Sequence, residues 1–145
     1  MTHEPTAPFR PVITDQAALE EAWRRLMSPL GFGRTSVWLM LVGDDGRPVP
    51  QLTEVEGCER PLTPGELDGL ADAARLLLDD LAPAGRLALL LSRPGPARPT
   101  PADVALARGV LEACRTHGVP TEVVHLATDT DVVPLPYDTL ALPAA

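Results

Sequence analysis

Residues 37–42 read VWLMLV and residues 86–92 read RLALLLS, two apolar runs without the alternation of a half-wetted strand. A strand exposed on one face alternates apolar and polar side chains, so a continuous apolar strand must be covered on both faces. The rest of the chain has to supply those covering layers. At 145 residues it is long enough to do so within one domain and without covalent staples.

Three segments have helical spacing. In TDQAALEEAWRRLMSPLG, Thr14 or Asp15 is the expected N-cap, Leu19, Ala22, Trp23 and Leu26 form one stripe, and Pro29 with Gly31 ends the run. TPGELDGLADAARLLLDDLAPAG carries the strongest helix signature. Thr63 caps, Pro64 takes the first helical position, and Glu66 completes a capping box. Leu67, Leu70, Ala74, Leu77, Leu78 and Leu81 make its apolar face, and Pro83 with Gly85 stops it. In the third, Thr100 or Asp103 starts a helix that runs through Val104, Ala107, Leu111 and Cys114 to a C-cap at Gly118.

The remaining strands follow from turn chemistry. Asp45-Gly46 is a tight-turn pair that folds the 37–42 run back along Val49, Leu52 and Val55. Pro48 and Pro50 make that returning arm short or place it at a sheet edge. TEVVHLA and DVVPL give two further short strands. The resulting order is helix, strand, strand, helix, strand, helix, strand, strand, without internal repeats. It implies an α/β (α+β) domain of three layers, a mixed β-sheet flanked by helices. One domain is expected over residues 13–136, after a proline-rich N-terminal arm at 1–12 and before a C-terminal tail at 137–145.

Composition excludes some partners. All twelve basic residues are arginine, lysine and asparagine are missing, and prolines number 17, a bias that points to a GC-rich bacterial genome and not to function. The net charge of −8 disfavours nucleic acid and anionic membranes, which need a concentrated basic face. No apolar stretch approaches the roughly 18 residues that span a bilayer, and MTHEPTAPFRP has no signal-peptide pattern, so a cytoplasmic protein is expected.

Candidate chemical groups are few. Cys58 and Cys114 make neither a disulfide framework nor a zinc site. Cys114 reads as a buried helical thiol, and Cys58 sits in a polar loop where Glu56 and Glu59 disfavour a thiolate. The histidines are His3 in the arm, His117 at a helix C-terminus and His125 in an apolar strand, and no metal or cofactor is expected. Asp79-Asp80 reads as a solvated helix face, and Asp129 with Asp131 as a turn. There is no Walker-A loop and no G-x-G-x-x-G, and the prolines of PGP at 94–96 remove amide donors that a phosphate would need. Ser28, Ser36 and Ser92 are the only serines and none lies in G-x-S-x-G, although Ser92 and His125 could still meet in space.

From the hairpin onward, element order and several local sequences resemble the RadC-like branch of the JAB/MPN (JAMM) domains. The likeness is most specific in PTPADVALARGVLEACRTHGV, where Arg108, Leu111, Glu112, Ala113, Arg115 and Gly118 fall in matching places. TPGELDGLADAARLL occupies the position of the preceding family helix, and the likeness covers about two-thirds of the chain. The resemblance implies a JAB/MPN (cytidine-deaminase-like) architecture. Active members bind zinc through His-x-His and an Asp, with a Ser on the same loop and an upstream Glu as base for the metal-bound water. Here the two His positions fall on Leu91 and Arg93, the Ser position near Pro101 or Ala102, and the Glu position near Thr35. Only Asp103 keeps a ligand type. Leucine has no lone pair, and Arg93 puts a permanent positive charge where the cation would sit.

The expectation from the residues and the resemblance is a metal-free, catalytically inactive RadC/JAB-like domain. It would act through a protein partner or self-association, with Arg93, Arg98, Thr100 and Asp103 at the mouth of the remaining groove and Arg93 open to an anionic group or paired with Asp103. The alternative is a hydrolase or small-ligand-binding protein that reuses the pocket through Ser92, Cys58 or His125. It requires those groups to approach one another.

Overall fold

The computed structural model describes residues 12–135. In chain order its elements are α1 (Gln16–Met27), β1 (Ser36–Val42), β2 (Pro48–Val55), α2 (Pro64–Leu81), β3 (Arg86–Ser92), α3 (Pro101–Thr116), β4 (His125–Ala127) and β5 (Val132–Pro134). The strands form one mixed sheet in the order β2-β1-β3-β4-β5. β1 runs antiparallel to both β2 and β3, β3 is parallel to β4, and β5 returns antiparallel to β4.

The two apolar runs are β1 and β3, inner strands of the sheet paired along their whole length from Ser36↔Ser92 to Val42↔Arg86. Their alternate residues feed two cores. Val37, Leu39, Leu41, Leu87, Leu89 and Leu91 pack beneath α2 and α3, together with Ala71, Leu78, Val110 and Cys114. Met40, Val42, Ala88 and Leu90 point the other way and pack with Leu19, Trp23 and Met27 of α1. The mixed sheet with helices on both faces is the three-layer α+β arrangement that apolar runs at the centre of a sheet require.

Local chemistry explains the helix starts. The Asp15 carboxylate accepts from the Ala18 amide, so Asp15 and not Thr14 is the cap. Thr63 and Glu66 exchange the two bonds of a capping box at α2, and Thr100 does the same with Asp103 at α3. Of the two readings of the returning arm, the edge placement holds: β2 runs eight residues at the sheet edge, where its prolines are tolerated. Two expectations need correction. TEVVHLA forms a regular strand only over His125–Ala127, with one isolated bridge from Thr121 to Leu87. In α1 the inward position after Trp23 is taken by Met27, while Leu26 is exposed on the flank. The arm at 1–12, apart from Val12, and the tail at 137–145 lie outside the described residues. No helix among the described residues is long and apolar enough to cross a membrane.

Candidate functional site

The loop 93–100 leaves the carboxyl end of β3 and enters α3, and Arg93 organises it. Its Nε and Nη2 each donate to the Asp103 carboxylate at 2.8 Å. Nη1 donates to the carbonyls of Pro94 and Pro96, at 2.9 and 3.1 Å, and Nη2 also donates to the carbonyl of Arg98 at 3.0 Å. A guanidinium has five N–H groups, and all five are used. The prolines that strip the loop of amide donors leave its carbonyls free to converge on one internal cation.

Asp103 is 95% shielded from solvent, in keeping with its 5% exposure, and Arg93's side chain is 13% exposed. Asp103 Oδ2 also accepts from the Thr100 amide at 2.8 Å, while Thr100 Oγ1 accepts from the Asp103 amide at 3.2 Å. Burial is the largest influence on the Asp103 carboxyl and pushes its pKa up. Hydrogen bonds from Arg93 and Thr100, with the Arg93 charge, outweigh it and leave the pKa lowered. The bond to Asp103 raises the Arg93 pKa in turn. Asp103 is therefore a first-turn carboxylate that completes the cap and holds Arg93, and Thr100 is the cap itself.

Each remaining site position has a definite place. Leu91 is a core residue beneath the two helices, paired with Val37 and Leu126. Arg98 contributes its carbonyl to Arg93, and its residue surface is exposed. Of the readings open for Arg93, the structure shows the pairing with Asp103, and none of its donors remains to bind an anionic ligand. The second acceptor near the loop is Asp129, whose carboxylate takes the amides of Phe32 and Gly95 at 3.0 and 2.8 Å. Those bonds lower its pKa and tie three loops together at this end of the sheet. Pairs separated by 97 and 34 residues leave no local signature, and the Asp129-x-Asp131 turn is all that can be read along the chain.

The nucleophile candidates are not brought together. Ser92 is buried and its Oγ accepts from Trp38 Nε1 at 2.8 Å. His125 lies one strand away on the same sheet face, fully buried, with Nδ1 3.2 Å from the Val123 carbonyl and no partner at Nε2. Burial lowers its pKa, against the bond to Val123. No hydrogen bond joins Ser92 to His125. Cys58 lies in the loop after β2 as expected, but its side chain is buried in the core on the opposite face and not in polar surroundings. Burial, more than the nearby carboxylates, pushes its thiol pKa up. His117 caps α3 and pairs with Asp68 of α2.

The zinc that the family resemblance implies does not fit this donor set. Leu91 and Arg93 offer no lone pair, and both Asp103 oxygens are engaged by Arg93. Among the described residues no group of three or more His, Cys, Asp or Glu side chains is placed to hold a metal ion. Comparison with protein-family models, with curated proteins and with solved structures finds no match to this chain.

Proposed function

We propose that the chain is a RadC/JAB-like domain in which an internal arginine has replaced the zinc, and that it serves as a protein-interaction or scaffold module and not as a hydrolase. The observation that carries this reading is the Arg93 lock: a cation already occupies the loop, bound by Asp103 and three carbonyls. The order of strand pair, Pro-started helix, apolar strand, proline-rich loop and capped helix supports the JAB/MPN architecture. With Arg93 and Asp103 spent on each other, the loop offers neither an open coordination position nor an activated nucleophile. What such a domain retains is a rigid surface for a protein partner or a second copy.

Zinc binding tests the reading most directly. Equilibrium dialysis of the purified chain against zinc, followed by metal analysis, is expected to leave no stoichiometric metal. One equivalent of zinc that is lost in Asp103→Ala would overturn the proposal. Light scattering at two protein concentrations separates self-association from recognition of a different protein.

A further inference from the structure

Beside the start of α3, the N-terminal parts of α2 and α3 and the segment 58–62 form a half-open cavity of about 150 Å³. Leu62, Leu67, Ala105, Leu106 and Gly109 line it, with Cys58 at its wall. The space exists because α3 presents small residues there. A Cβ added at Gly109 would stand 3.2 Å from Leu67 Cδ1, so even one methyl group there would crowd the wall. An apolar cavity of roughly 150 Å³ is large enough to hold a benzene ring.

The lining also sets the charge of an occupant. Cys58 is buried and neutral, and at the rim Arg60 donates through both Nη atoms to the Glu66 carboxylate, each at 2.9 Å. Arg60 and Glu66 offset each other, while the Glu59 carboxylate, which also lines the rim and accepts from the Thr35 amide at 3.4 Å, leaves a negative charge there, so an anion inside would lose its hydration and meet repulsion. A protein partner is a poorer occupant. Stable interfaces bury about 800 Å² per partner around large apolar anchors, and none of the exposed large hydrophobic residues, Val12, Leu26, Leu52, Leu76 and Leu81, lines the cavity.

We propose that this cavity binds a small neutral molecule through an apolar ring seated against Leu62, Leu67 and Leu106, beside Cys58. The site shares no residue with the Arg93 loop and goes beyond the interaction role proposed above.

Titration of the full-length, ¹⁵N-labelled chain with toluene tests it, read by amide chemical shifts. Saturable shifts centred on Leu67, Leu106, Gly109 and Cys58 are expected. Benzoate, which carries the same ring with a negative charge, should bind at least tenfold more weakly. Ala105→Leu fills the cavity from its exposed wall and should weaken toluene binding at least tenfold. Gly109→Ala, whose added methyl meets only the tip of Leu67, carries the same comparison should the larger substitution fail to fold. The proposal is overturned by any of four results: no saturable shift up to the solubility limit of toluene, shifts centred elsewhere, benzoate binding as tightly as toluene, or undiminished binding in a folded cavity-filled variant.

Discussion

Arg93 and Asp103 form the most shielded ion pair among the described residues, with side chains 13% and 5% exposed. Removing one partner of such a pair leaves the other charge buried without compensation, which costs about 3–5 kcal/mol. Arg93→Ala should therefore lower unfolding free energy by roughly 3 kcal/mol, read as a fall in the urea midpoint. Arg93→Lys keeps the charge but not the planar fork, and three carbonyls with one carboxylate exceed what an ammonium can satisfy. It should fall between wild type and alanine. Arg93→Met with Asp103→Leu should lose less than the two single changes added together; strict additivity in that cycle would mean the pair is not coupled. Part of this site is legible in the sequence. Leu91 and Arg93 visibly fail as metal ligands, and PTPAD reads as a capped helix start. The pairing of Arg93 with Asp103 is one of two readings open to the sequence, because loop path decides it. The three carbonyls around the guanidinium are backbone atoms, to which side-chain patterns are blind.

At the scale of elements, the helices are legible because their signals are local. Proline at the first position, a capping threonine and an acidic third residue all lie within four residues of one another, at α2 and again at α3. The strands are less so, since their lengths depend on neighbours far along the chain. β2 reaches eight residues because β1 pairs with it, and β4 shrinks to three because only part of TEVVHLA finds β3 and β5. Two glycines in these elements have opposite expected responses. Gly69 lies inside α2 with nothing within 4 Å of an added Cβ, so Gly69→Ala should stabilise by about 0.5–1 kcal/mol through helix propensity. Gly85 sits where α2 turns into β3, and a Cβ there would lie 2.4 Å from the Val42 carbonyl and 2.7 Å from that of Ala82. Both obstacles are backbone, so Gly85→Ala must shift the turn against β1 and should destabilise by at least about 2 kcal/mol. Thermal melts of the two variants check both signs. A stable Gly85→Ala protein would mean that α2 and β1 do not approach as described.

The described residues form two cores separated by one sheet, a division that the apolar runs of β1 and β3 imply. Which core holds the unsatisfied polar atoms could not be read along the chain. Among the described residues, Trp23 Nε1 and His125 Nε2 are both buried without a partner, on the side where α1 packs against β4 and β5. That side should therefore govern the response to mild acid. Burial holds the folded His125 pKa below 6.5, against the pull of the Val123 carbonyl, while the unfolded chain titrates near 6.5. As pH falls below that value the unfolded state takes up a proton that the folded state refuses, and stability declines until the folded pKa is reached. One proton limits the slope to about 1.4 kcal/mol per pH unit. Asp103 acts in a lower window: its folded pKa is depressed from 3.8, so its contribution is intact above 3.8 and disappears as pH falls through the folded value. Urea unfolding at pH 7.5, 5.5 and 3 should then show two separate losses. His125→Leu replaces the ring with an apolar side chain and removes the orphaned nitrogen, so it should abolish the loss between pH 7.5 and 5.5. The step below 3.8 should remain in that variant and diminish in Asp103→Leu, Arg93→Met. An unchanged decline between pH 7.5 and 5.5 in His125→Leu would assign the mild-acid response to another group and remove His125 from the account.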